Sequence, residues 1–167
     1  MKQCETCGSS DFMIRGKSVC LKCFTGKKTG KINIGIDCGV KTGLSVWNSE
    51  SQSFEEISTL KIHQAIDTVL EYHRLYGKDL FVRFEDARKR QWFGSTGREK
   101  LQGAGSVKRD SKIWEDLLKD NKINYEAVAP KNNATKLTDE QFSKITKYTG
   151  RTSVHGRDAA MLVFGIK

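Results

Sequence analysis

Residues 31–39 read Lys31-Ile32-Asn33-Ile34-Gly35-Ile36-Asp37-Cys38-Gly39. The isoleucines alternate with Asn33, Gly35 and Asp37, the period-two pattern of a strand with one face buried. A short glycine-containing turn leads to Thr42–Asn48 (TGLSVWN), a second β-rich run, so the two predict a hairpin with an aspartate on its first strand. Outward from this hairpin, a third strand is expected over Ser53–Lys61. A helix is expected over His63–Tyr76, with Ile66, Val69, Leu70 and His73 at helical spacing and Gly77 at its end. Asp79–Ala87 (DLFVRFEDA) reads as a fourth strand and Ile123–Pro130 (INYEAVAP) as a fifth. Between them a helix is expected from about Ser106 to Asn121, with Val107, Ile113, Trp114, Leu117 and Leu118 as its apolar stripe. Thr138–Tyr148 predicts a helix opened by a capping box at Thr138 and Gln141, and Ser153–Phe164 predicts a last helix. The order is that of an α/β domain, a mixed five-stranded sheet flanked by helices.

The chain has 167 residues, 37% hydrophobic and 29% charged, with one proline. That describes a folded domain with a small appendage and excludes disordered, fibrous and two-large-domain classes. Lys and Arg number 29 against 20 Asp and Glu, a net charge of +9 that favours a polyanionic partner, nucleic acid first. The longest uncharged apolar run, Ala159–Ile166, falls far short of the roughly 18–20 residues of a membrane span. Cysteines from Cys4 onward leave no room for the apolar core of a secretory signal. No membrane association and a cytoplasmic location are expected.

Near the start, Cys4-Glu-Thr-Cys7 and Cys20-Leu-Lys-Cys23 form two close pairs. At this spacing the pairs make two knuckles whose thiolates face one point, so Cys4, Cys7, Cys20 and Cys23 predict a zinc ribbon with a closed structural Zn²⁺ site. The plainer alternative is a disulfide or redox pair. Phe24–Lys31 (FTGKKTGK) reads as a basic linker, which divides the chain into a ribbon and linker over 1–30 and a main domain over 31–167. Lys2, Arg15, Lys17 and Lys22, with Lys27, Lys28 and Lys31 in the linker, suit the appendage to an extra nucleic-acid contact; a structural or dimer-supporting ribbon is the alternative. The remaining cysteine, Cys38, is expected to be a buried apolar residue on the face opposite Asp37. His63 and His73 read as surface or helix-packing residues.

Three acids sit where acids are costly. Asp37 lies in an isoleucine-rich strand, Glu85 ends a strand that is apolar before it, and Asp158 shares a helix face with His155. A common site for divalent cations would turn their mutual repulsion into ligation, with oxygen donors selecting Mg²⁺ or Mn²⁺. Two such ions can activate a water and stabilise the leaving oxygen of a phosphodiester. The plainer alternative is solvated carboxylates at strand ends and a helix N-terminus. His155 suits either a metal ligand or a proton carrier. From residue 86 to 112 the chain holds eight basic residues (Arg88, Lys89, Arg90, Arg98, Lys100, Lys108, Arg109 and Lys112) against three acids, a surface suited to phosphates or simply to solvent.

Together IGIDCGVKTGLSVW, FVRFEDAR and HGRDAAMLVFG resemble the first, second and last motifs of the RuvC-type Holliday junction resolvases, over residues 31–167. The resemblance implies a ribonuclease H-like fold and a site made of Asp37, Glu85, His155 and Asp158. It implies a homodimer that cuts branched double-stranded DNA with Mg²⁺ or Mn²⁺. Trp92 or Phe93 would be the aromatic wedge at the opened junction, with dimer-interface or core packing as the alternative. Lys131 and Lys136 would assist at the scissile phosphate, and Arg88, Lys89, Arg90, Lys108 and Arg109 would follow the DNA backbone. The added ribbon departs from the standard bacterial members and implies a divergent, phage-encoded branch. Two other classes remain open: a non-catalytic nucleic-acid-binding module, and an actin or sugar-kinase-like ATP-binding domain, for which the chain is short.

Overall fold

The computed structural model describes residues 30–89, 98–130, 133 and 136–167. Its elements are β1 (Ile32–Asp37), β2 (Thr42–Asn48), β3 (Ser53–Leu60), α1 (Ile62–Tyr76), β4 (Leu80–Glu85), α2 (Arg98–Asp120), β5 (Asn124–Val128), α3 (Asp139–Thr146) and α4 (Val154–Val163). They form one five-stranded sheet of order β3-β2-β1-β4-β5. The hairpin read from the sequence is present, with β1 antiparallel to β2 and Asp37 opposite Gly43. On its other side β1 runs parallel to β4, and β4 parallel to β5. The sheet is therefore mixed.

Alternation along β1 sorts the core. Ile32, Ile34 and Ile36 join Leu44, Val46, Val82 and Phe84 from the neighbouring strands and Val69, Trp114 and Leu118 from α1 and α2 in one buried cluster. Cys38 is in that cluster, on the face opposite Asp37 as its position implies. The second face carries α4, whose Leu162 and Val163 pack with Trp47, and Trp47 Nε1 donates to the Ile166 carbonyl at 2.9 Å. The capping box at Thr138 is made both ways: its hydroxyl accepts from Gln141 N and its N–H donates to Gln141 Oε1.

Several boundaries differ from the sequence reading by one or two residues, among them the end of β5 at Val128 and of α3 at Thr146, and two differences have a local cause. Helix α2 begins at Arg98, not near Ser106, and runs through Gly103 and Gly105. Each glycine costs a helix about 1 kcal/mol, but Arg, Glu, Lys, Leu, Gln and Ala around them are good helix formers, and extending an existing helix adds a hydrogen bond per residue fixed. Strand β4 stops at Glu85, because Ala87–Lys89 turns as a 3₁₀ helix. No helix among the described residues is long and apolar enough to cross a membrane. Cys4, Cys7, Cys20 and Cys23, and with them the expected ribbon, lie outside the described residues.

Candidate active site

Parallel pairing of β1 with β4, with Ile36 opposite Phe84, brings the strands to their C-terminal ends side by side. Asp37 and Glu85 are the residues that end them. Since Ile36 and Phe84 point into the α1–α2 core, the next side chains point to the other face, where α4 lies.

Glycines seat that helix. A Cβ at Gly35 would stand 2.0 Å from the Ala159 carbonyl oxygen, and one at Gly43 would stand 2.0 Å from that of His155. Only residues without side chains let the helix backbone rest on β1 and β2 this closely. The small Ala159 and Ala160, both fully buried, continue the contact. Helix α4 starts at an N-cap, Ser153, whose hydroxyl accepts from Gly156 N at 3.0 Å. Arg157, 6% exposed, ties its first turn to the preceding loops by donating to the Leu137 carbonyl at 2.8 Å and the Thr152 carbonyl at 3.2 Å, and it pairs with Asp139.

The seated helix delivers His155 to Asp37, with Nδ1 and Oδ2 2.8 Å apart. Burial pushes the Asp37 carboxyl up to about 6; the His155 hydrogen bond opposes the rise, and the nearby charges of Glu85 and Asp158 add to it. Asp37 thus senses both other acids. Asn133, in the loop after β5, joins them more directly: Nδ2 donates to Glu85 Oε2 at 3.3 Å and to the Asp158 carbonyl at 3.1 Å. The Lys136 N–H donates to Asp158 Oδ1 at 2.8 Å. That residue has φ +61°, and the left-handed turn belongs to the loop that meets Asp158.

All four residues read from the sequence as catalytic, Asp37, Glu85, His155 and Asp158, are therefore at one end of the sheet. Asn133 and Arg157 were not foreseen. The signal for Asn133 is topological: β5 pairs with β4 as far as Val128 opposite Glu85, so the chain leaving β5 passes the site. Glycines at alternating positions on β1 and β2 were likewise visible, as Gly35 and Gly43, but their meaning needs the helix they touch.

Arg88, counted in the basic run, is engaged within the fold. Its guanidinium grips Asp86, Nε to Oδ1 at 2.8 Å and Nη2 to Oδ2 at 2.9 Å, and reaches Glu115 Oε2 at 2.7 Å. Asp86 is 2% exposed; burial acts to raise its pKa, yet Arg88 holds it below the ordinary value. Lys119 and Arg88 together draw Glu115 down to about 2. Arg88 thus anchors the turn after β4 to α2. Lys89 donates to the Ala127 carbonyl from an exposed position. Arg109 and Lys136 are exposed and Lys108 is half-buried on α2. Arg90, Trp92, Phe93 and Lys131 lie outside the described residues.

Among the described residues no three His, Cys, Asp or Glu side chains stand close enough to form a ready cation cage. The donors nevertheless suit a hard cation: three carboxylates at one sheet end, one of them with a pKa raised chiefly by burial and further by the charges of Glu85 and Asp158, and a buried Asn133 Oδ1 with no partner among the described residues.

No protein-family model matches the chain, and no curated protein matches its sequence. Among solved structures, RuvC of T. thermophilus in complex with Holliday junction substrate is similar with a TM-score of 0.53 at 17% identity, over 80% of this chain and 90% of that one. The large terminase nuclease from thermophilic phage G20c is similar with a TM-score of 0.36 at 14% identity, over 83% of this chain and 84% of that one. The likeness to RuvC shows the fold: the mixed five-stranded sheet flanked by helices is ribonuclease H-like.

Proposed function

We propose that the chain is a metal-dependent endodeoxyribonuclease that cuts Holliday junctions or other branched DNA by phosphodiester hydrolysis. The observation that carries this reading is the placement of Asp37, Glu85, His155 and Asp158 at one end of a ribonuclease H-like sheet. Asp37, Glu85 and Asp158 would hold Mg²⁺ or Mn²⁺, which when bound supplies activation of a water and neutralisation of charge on the phosphate. The chain's own groups do the rest. His155 steadies the Asp37 carboxylate through Nδ1, which leaves Nε2 to carry a proton at the exposed mouth of the site. Asn133 and the Lys136 N–H hold Glu85 and Asp158 in place. Lys89, Lys108, Arg109 and Lys136, with Arg90 and Lys131, supply positive charge for the DNA backbone, and Trp92 or Phe93 is the wedge. A homodimer presents two such sites to opposed strands, and the zinc ribbon over 1–30 adds a DNA contact.

The test is cleavage of four-way, three-way, flap and linear DNA with Mg²⁺ and with Mn²⁺, using Glu85→Gln and Asp158→Asn. Both variants should bind DNA and fail to cut; full activity in either defeats the proposal. A non-catalytic binding module is the second reading, favoured by the lack of three gathered ligand side chains among the described residues. It requires that wild type leave every substrate intact.

A further inference from the structure

We propose that Asn133 is a working residue of this site, its carbonyl oxygen serving as a ligand of the divalent cation while its amide nitrogen positions Glu85 for the same ion. The inference rests on the metal-dependent reading above. Nδ2 of Asn133 donates to Glu85 Oε2 at 3.3 Å and to the Asp158 carbonyl at 3.1 Å. Both partners are pure acceptors, which fixes the sense of the amide: turned over, Oδ1 would face a carboxylate and a carbonyl with no proton between them. Oδ1 therefore points elsewhere, and it is buried with no hydrogen-bond partner among the described residues.

Buried acceptors without donors are rare because they lose their water and gain nothing in return. This one belongs to a residue already bonded to a carboxylate of the site. Hard divalent cations take six or more oxygens and accept neutral amide carbonyls beside carboxylates. Among the described residues the acids and His155 do not by themselves gather three ligand side chains, and the unpartnered Oδ1 of Asn133, on a residue already bonded to Glu85, is a further oxygen donor beside them. One side chain thus couples two functions: the nitrogen fixes the rotamer of Glu85 against the backbone of α4, and the oxygen completes the ligand set.

The experiment is Mn²⁺ titration of the full chain without DNA, followed by electron paramagnetic resonance and by calorimetry, for wild type, Asn133→Leu and Asn133→Asp. Far-UV circular dichroism and melting curves confirm folding. The leucine variant, which has neither donor nor acceptor, should bind Mn²⁺ at least tenfold more weakly. The aspartate variant keeps an oxygen for the ligand position but loses the donor to Glu85, so it should bind more weakly than wild type and at least threefold more tightly than the leucine variant. If Asn133 were only a strut, aspartate would set a second negative charge against Glu85 and bind as poorly as leucine; that result overturns the ligand assignment. Wild-type affinity in the leucine variant overturns it as well, while leaving the nuclease reading intact. Absence of Mn²⁺ binding by wild type overturns both. Should the leucine variant melt below the assay temperature, Asn133→Ala is read against the same thresholds.

Discussion

Removing the charge of Asp37 should stabilise the metal-free protein while destroying its response to metal. The Asp37 carboxyl is raised from 3.8 to about 6, chiefly by burial, with its side chain 17% exposed. The folded chain therefore holds this proton up to a higher pH than the unfolded chain does. Where the folded state binds more protons, stability falls as pH rises, so the loss from this group accumulates between about pH 4 and pH 6 and is complete above it. At about 1.4 kcal/mol per pKa unit the full loss is about 3 kcal/mol. Asn carries a neutral amide of nearly the same shape that cannot ionise, so Asp37→Asn avoids this loss. For a chain of this size that corresponds to a rise in melting temperature of roughly 6–12 °C. The assay is scanning calorimetry of wild type and variant from pH 4 to pH 8 in Mg²⁺-free buffer, repeated with millimolar Mg²⁺. The variant should match wild type at pH 4, gain through pH 6 and hold its gain at pH 8; added Mg²⁺ should raise the melting temperature of wild type alone. A gain equal at pH 4 and pH 8, or a variant less stable than wild type at pH 8, refutes the electrostatic account of the site.

Three further perturbations separate the seat of α4, the Arg88 anchor and the appendage. Gly43→Ala places a Cβ 2.0 Å from the His155 carbonyl oxygen and should cost about 2–3 kcal/mol by denaturant unfolding and abolish cleavage, whereas Gly39→Ala, whose nearest neighbour would be 3.6 Å away, should change stability by less than about 0.5 kcal/mol. Arg88→Gln leaves the buried Asp86 carboxylate without its partner and should cost about 3 kcal/mol, while the slope of log affinity for DNA against log salt stays at the wild-type value; a slope shallower by about 1 would put Arg88 on a phosphate. Deleting residues 1–30 should weaken junction binding and leave metal-dependent cutting; unchanged affinity at several salt concentrations would assign the ribbon a structural role.

The sheet was readable because its rules are local. Alternation of Ile32, Ile34 and Ile36 with Asn33, Gly35 and Asp37 reports which side chains enter the core, and the structure buries those three isoleucines completely. The start of α2 was not readable, since Gly103 and Gly105 speak against a helix that its other residues support. Arg88 shows the limit of reading charge by composition. In a run of basic residues nothing in the sequence tells a cation that faces solvent from one spent on Asp86 and Glu115 across 27 positions. Asn133 was hidden for the same reason, because its importance lies in a hydrogen bond to Glu85, 48 positions away.

The two glycines and the raised Asp37 carboxyl have a common explanation. A helix held off the sheet by ordinary side chains would leave His155 and Asp158 farther from the strand ends, and water between the acids would screen them. Gly35 and Gly43 remove that separation, so the backbone of α4 presses Asp158 toward Asp37 and Glu85, and burial makes their charges felt. The burial of the Asp37 charge, with the lesser repulsion from Glu85 and Asp158, is a cost in stability that the fold itself does not need. A cation offsets it, so the same packing that destabilises the metal-free site raises its affinity for the ion. Widening the gap should therefore lower metal affinity and relieve the strain on Asp37 together: a second-site change that restores ordinary Asp37 titration should never improve Mg²⁺ binding, and a variant that did both would break the link between packing and function.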